Sequence, residues 1–250
     1  MHALIVLAHP EAKSFNGQMA ETAKAFFEAQ GHTAEISDLY REGFDAREAL
    51  MHFPAPKAPD YFSAMTEQRH AVDTATLPAD VEREIKRLER ADVVVFQFPL
   101  WWFSIPGMLK GWMDRVFVWG RVYTSKMRYD TGYFRGKRAL VSITTGGPPA
   151  THAPNGRQGD MNMELWPFHF GLNYVGFTVL PPFRSFAVGV GPENDAYKAM
   201  LEGYKTGLRD HLAALDRLEP LAFNGWNDWD ENGQLKPGAP SHSLFMRHGG

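Results

Sequence analysis

Apolar positions along this chain follow two rhythms, and the rhythm changes from segment to segment. Residues 3–8, ALIVLA, form a continuous apolar run, the pattern of a strand covered on both faces. Residues 16–30 switch to helical spacing, with Met19, Ala23, Phe26 and Phe27 on one side and Gly31 as the stop. Residues 33–39 predict a second strand. Weak periodicity and several prolines over 40–77 predict an irregular excursion. In the helix predicted over 79–91, Val81, Ile85 and Leu88 share a face; Pro78 precedes it, and Asp80 and Glu82 suit its N-terminal end. DVVVFQF, residues 92–98, reads as another buried strand. Pro106 begins a helix with Met108, Leu109, Trp112, Met113 and Val116 on its apolar face. Residues 138–145, RALVSITT, predict a strand, and 177–183, FTVLPPF, begin as one. A last helix is predicted over 193–217, broken only by Gly203 and Gly207.

Strand and helix alternating in this way predict an open parallel sheet with helices on both faces. Ligands of such sheets sit outside the carboxyl ends of the strands. Residues 219–250 differ, being rich in Gly, Pro and Asn. With Phe223, Trp226, Trp229 and Phe245 as anchors, they read as a wrapping tail on a domain of residues 1–218.

Three strand ends stand out. The first runs His9-Pro10-Glu11-Ala12-Lys13-Ser14-Phe15-Asn16 into a helix. A Ser/Asn-rich turn at a helix N-terminus offers free backbone N–H groups and a positive dipole end, which suits a phosphate; an ordinary cap by Ser14 is the plainer alternative. The second runs Pro99-Leu100-Trp101-Trp102-Phe103, large apolar side chains where a chain normally turns polar. The third is Thr144-Thr145-Gly146-Gly147, whose glycines let a ligand approach the backbone. An anion cradle, an aromatic platform and a Gly-rich loop on one sheet edge fit a flavin nucleotide better together than singly.

Composition narrows the chemistry. The chain has 250 residues and a net charge of −3, so no basic surface suggests nucleic acid or an anionic membrane. It has no cysteine, which removes thiol catalysis, disulfides and Cys-ligated zinc. Neither a secretory leader nor an apolar membrane span is evident, so a cytoplasmic protein is expected. G-x-G-x-x-G after a strand, G-x-S-x-G and H-E-x-x-H are all missing. Asp228 to Gly233 matches the first half of a calcium loop, but Ala239 stands where a bidentate Glu is required, so an Asx-type turn is expected and no metal.

FPLWWFSIPGMLKGWMDRVF (98–117), SITTGG (142–147) and GDMNMELWPF (159–168), in that order and spacing, resemble the NAD(P)H:quinone oxidoreductases of the flavodoxin-like fold, the family of DT-diaphorase and the bacterial drug-activity-modulator flavoproteins. The resemblance covers residues 1 to about 215. It implies a flavodoxin-like, doubly wound α/β fold with a five-stranded parallel sheet. It also implies FAD rather than FMN, NADPH or NADH as co-substrate, a quinone acceptor, and a homodimer with the active site at the subunit interface. Carried over by position, His9, Lys13, Ser14, Phe15, Asn16 and Gln18 serve the phosphate and adenosine side. Pro99, Leu100, Trp101, Trp102 and Phe103 line the isoalloxazine, and Thr144, Thr145, Gly146 and Gly147 complete the cradle.

The family's mammalian-type members place a Tyr and a His between the Gly-Gly and the Gly-Asp-Met-Asn, as a charge relay. Equal spacing here gives His152 and Gln158, and a neutral Gln cannot take a proton. His152 is therefore the candidate to steady charge or donate a proton. Tyr123 matches one of two tyrosines that enter the partner's site, the second aligns with Ser125, and Tyr174 falls near an aromatic across the interface. The expected activity is ping-pong hydride transfer from NAD(P)H to flavin N5 and then to a quinone. Other uses of such a fold stay open: azo- or nitro-compound reduction, one-electron transfer, or regulation of a membrane transport partner.

Overall fold

In the computed structural model, which describes residues 1–189, 194–242 and 246–248, the expected alternation is present. The elements run β1 (His2–Leu7), α1 (Phe15–Ala29), β2 (Thr33–Asp38), α2 (Ala64–Asp73), α3 (Ala79–Arg90), β3 (Val93–Pro99) and α4 (Gly107–Val116). They continue with β4 (Arg138–Thr144), α5 (Met161–Tyr174), β5 (Thr178–Val179), β6 (Phe183–Ser185) and α6 (Asp195–Ala213). All pairings are parallel, in the order β2-β1-β3-β4-β5, with β6 also on β4. The expected fifth strand is thus two short pieces. Leu180-Pro181-Pro182 separates them, because proline has no N–H to give to the ladder.

Side chains alternate across the sheet as a pleated backbone requires. Leu4, Val6, Val94, Phe96 and Phe98 pack on one face against Val81, Ile85 and Leu88 of α3, Leu109, Trp112 and Val116 of α4, and Leu165, Phe168 and Leu172 of α5. Ala3, Ile5, Val93 and Val95 pack on the other against Met19, Ala23 and Phe27 of α1 and Leu208 and Leu212 of α6. Gly31 has φ +76°, which only glycine adopts freely, and it ends α1.

Two helices escape the sequence reading. α2 lies in the segment read as irregular, and its buried positions are Glu67 and Gln68 beside the small Ala71. Glu67 accepts from the Lys57 and Ala58 amides (2.7 and 2.9 Å), and Gln68 donates to Glu48 and to the Asp114 carbonyl. α5 is apolar nearly all round and carries Pro167, so no stripe announces it. Phe245 of the expected tail anchors lies outside the described residues.

Arg115 ties α4 to the first turn of α3 and to the chain at Phe44 and Asp45. It is buried, donates to the Asp80 carboxylate (2.5 and 3.1 Å) and to the Asp45 carbonyl (2.7 Å), and lies 4.9 Å over the Phe44 ring. Arg115→Ala removes the packing and unpairs the acceptors, so it is expected to lower the unfolding free energy by about 3 kcal/mol, read as a lower urea midpoint.

Candidate active site

Each chain segment at the C-terminal edge of the sheet is shaped by a local constraint. The loop after β1 folds back at Glu11, whose carbonyl accepts the Ser14 amide (3.1 Å) and whose amide donates to His9 Nδ1 (3.1 Å). Ser14 then caps α1, its hydroxyl accepting the Gly17 amide at 3.2 Å. The plain cap is therefore real. It still leaves the other first-turn amides of α1 without an intrahelical partner, at the positive end of the helix. Loop and helix touch closely: a Cβ at position 17 would lie 1.9 Å from the Ala12 carbonyl oxygen.

Asn16 fastens three elements together. It is buried, accepts from Gln97 Nε2 of β3 (2.8 Å) and donates to Thr144 Oγ1 of β4 (3.0 Å). The ladder runs one residue past β3, with the Leu100 amide on the Thr144 carbonyl at 2.8 Å.

There the chain turns. Trp101 and Ser104 exchange two backbone hydrogen bonds of 3.1 Å, and the central residues Trp102 and Phe103 have φ 51° and 59°. Positive φ at both centres is the signature of a type I′ hairpin turn, a place for Asn-Gly rather than for two bulky aromatics. Trp102 is 94 % exposed and Phe103 52 %. Strained backbone that holds large apolar side chains in solvent is a pattern of functional sites.

These segments enclose a cleft of about 440 Å³. His9, Ser14, Phe15, Asn16, Gln18, Pro99, Leu100, Trp101, Thr144, Thr145 and Gly146 all line it, so most of the sequence-derived set converges. The His9 and Trp101 rings are 6.0 Å apart at its mouth. Lys13, Trp102, Phe103 and Gly147 do not line it. Lys13 is exposed on the outer side of the loop, its amide on Glu11 Oε1 (2.8 Å). Trp102 and Phe103 are turned outward by their φ angles. Gly147 is covered by His152 and Gln158, which a Cβ there would meet at 2.7 and 2.6 Å.

Val188, Gly189, Tyr197 and Leu201 also line the cleft. The sequence reading omitted them; the strand-end rule applied to the chain after β6 is the signal that points there. The Gly189 amide donates to the Tyr197 hydroxyl at 2.6 Å, which fixes that wall. Tyr123 stands apart from the cleft, its ring 5.7 Å from Tyr174 and 5.2 Å from Trp119. Burial, then Tyr174 and Asp114, push its phenol above the ordinary value, so it stays protonated. Asp230 Oδ1 accepts the Asn232 and Gln234 amides (2.9 and 2.8 Å), the Asx-type turn expected there.

The residues present suit a flavin nucleotide. A helix N-terminus faces the cleft for phosphate, an indole half-exposed at its wall offers a flat surface, and Gly146 presents backbone without a side chain.

Known proteins agree with this geometry. The profile of the flavodoxin-like fold family matches residues 1–208. Ribosyldihydronicotinamide dehydrogenase (quinone) of Mus musculus is 41 % identical over 208 residues, 82 % of this chain and 90 % of that protein. NAD(P)H dehydrogenase (quinone) 1 of Rattus norvegicus is 42 % identical over 208 residues, covering 82 % of this chain and 76 % of its own. Among solved structures, a Klebsiella pneumoniae protein described as a candidate quinone reductase superposes with a TM-score of 0.88 at 34 % identity, over 95 % of this chain and 94 % of that one.

Proposed function

The chain belongs to the NAD(P)H:quinone oxidoreductase family of the flavodoxin-like fold, and from that premise we propose that it is an FAD-dependent, two-electron NAD(P)H dehydrogenase (quinone). The observation that carries the reading is the convergence of three strand ends on one cleft with a helix N-terminus on one side and the half-exposed Trp101 indole on the other. Bound there, FAD would supply two-electron hydride chemistry between NADPH or NADH and a quinone, and the two substrates would use the same place in turn.

The protein's part is position and electrostatics. The first-turn amides of α1, with Ser14 and Gln18, hold the phosphates. Trp101, Pro99 and Leu100 back the ring system, and Thr144, Thr145 and Gly146 present backbone groups to its polar edge. Trp102 and Phe103 wall the substrate slot, and Tyr123 of the partner subunit, protonated at neutral pH, closes it in a homodimer. Aromatic area left in solvent on one protomer supports that assignment, because a subunit interface covers it. Residues 1–218 form the catalytic domain and 219–250 an extension. No helix among the described residues is long and apolar enough to cross a membrane, and a cytoplasmic reductase is the proposal.

Two readouts test this. Chromatography of the cofactor released by heat is expected to give FAD; FMN would overturn that part. Double-reciprocal plots for NADPH at several menadione concentrations are expected to be parallel, and converging lines would rule out the ping-pong order.

A further inference from the structure

Position 147 has no side chain, and an imidazole takes the space. The 3₁₀ turn Pro149–His152 folds His152 back under the loop that follows β4, where it is buried. Its Nε2 lies 3.1 Å from the hydroxyl of Thr145, a cleft residue, and that oxygen is also held by the Gly147 amide at 3.3 Å. Its Nδ1 lies 3.5 Å from Oε2 of Glu164, in the first turn of α5. The Glu164 side chain is only 8 % exposed, and neither of its oxygens has a hydrogen-bond partner among the described residues.

A buried carboxyl without donors is costly unless an opposite charge faces it. Burial pushes Glu164 above the usual carboxylate range, and the facing His152 opposes that shift. Asp160, the N-cap of α5, pushes in the same direction as burial. Arg184 of β6 is the cation on that side and donates to Asn162 at 2.5 Å. The α5 N-terminus favours negative charge. Gln158, at the position of the family's histidine, accepts from the Thr151 hydroxyl at 2.5 Å and serves as a strut. The result is a line from cleft to interior: Thr145 hydroxyl, His152 imidazole, Glu164 carboxyl.

We propose that Glu164 is a positioning residue that, through His152 and Thr145, holds the one proton that quinone reduction consumes. The inference rests on the quinone reductase reading. NAD(P)H supplies a hydride, and a quinone needs that hydride and one proton to become a hydroquinone. The proton on His152 Nε2 passes to Thr145 Oγ1 as the Thr145 hydroxyl proton passes to the quinone oxygen. The N–H at His152 Nδ1 stays on Glu164, and solvent reprotonates the imidazole after release.

The test uses full-length protein as purified, with ¹⁵N-labelled histidine, in wild type, Glu164→Gln and Glu164→Leu. Long-range N–H correlation spectra read which ring nitrogen carries the proton. Wild type is expected to show His152 as the Nδ1–H tautomer at alkaline pH, and Glu164→Leu as Nε2–H. In parallel, the alkaline limb of kcat/KM for menadione is expected to move to lower pH by about one unit or more in Glu164→Gln, because a facing charge within 4–6 Å typically shifts a titration by 1–3 units. A Glu164 that merely packs would change the melting temperature and leave both readouts where they were. Unchanged tautomer and limb in both variants, with quinone reduction intact, overturn this inference alone. A tautomer switch in a wild type that reduces no quinone overturns the functional reading, and the proton-supply role with it.

Discussion

Gly17→Ala is expected to weaken FAD binding by roughly 100-fold. In an ordinary helix interior the same change stabilises by about 1 kcal/mol, so the sign itself is informative. Position 17 is not ordinary. The new Cβ would stand 1.9 Å from the Ala12 carbonyl oxygen and 2.8 Å from its carbon, and the neighbour is backbone, which cannot swing away as a side chain can. The loop of residues 9–14 must lift from α1. That loop sets His9 and Ser14 at the cleft and leaves the α1 amides open to it. Overpacking of this kind costs about 1–3 kcal/mol, and about 2.7 kcal/mol corresponds to two orders of magnitude in a dissociation constant. Gly203→Ala is the control. It lies within α6 with nothing within 4 Å of its Cβ position, and a melting temperature raised with unchanged FAD affinity is expected. Fluorescence titration with FAD and thermal melts of both variants check the pair. An unweakened Gly17→Ala would remove the loop from the cofactor site.

Replacing Trp102-Phe103 by Asn-Gly is expected to raise stability by about 1–2 kcal/mol, because two bulky residues leave the left-handed region. Both φ angles, 51° and 59°, are ones that Asn and Gly accept readily. The same change removes an indole that is 94 % exposed and a phenyl that is 52 % exposed, so it takes little from the protomer's own core. The rate is expected to move the other way. With the proposed walls of the substrate slot gone, kcat/KM for menadione is expected to fall by roughly 30-fold, the loss of about 2 kcal/mol of stacking. Sedimentation velocity is expected to show a weaker dimer, since the proposed homodimer places these side chains on the surface that the partner covers. A turn that gains neither stability nor loses activity would mean that the strain serves nothing at this site.

The parts legible from sequence are those where apolar spacing carries the signal. β1 reads as an unbroken apolar run, and β3 and β4 as largely apolar ones interrupted by Gln97 and Ser142, because helices cover both of their faces; α3 and α4 show their stripes. α2 shows no apolar stripe because, beside the small Ala71, what it buries is Glu67 and Gln68, whose partners lie elsewhere in the chain. α5 was invisible for the opposite reason, having no polar face to contrast with the buried one. At the site, residues adjacent to strand ends were found, since the strand-end rule names a place. Val188, Gly189, Tyr197 and Leu201 are not legible in this way, because β6 is three residues long and two prolines separate it from β5. Glu164 carries no sequence signal, since it meets His152 only when the 3₁₀ turn folds back onto α5.

Anaerobic addition of NADPH or NADH to the purified, FAD-loaded protein, followed by menadione, tests the central claim most directly. The account predicts that the visible flavin absorbance bleaches with the nicotinamide in a single two-electron step and returns with the quinone. A bound flavin that neither nicotinamide bleaches, or a protein that binds no FAD or FMN at all, would contradict it.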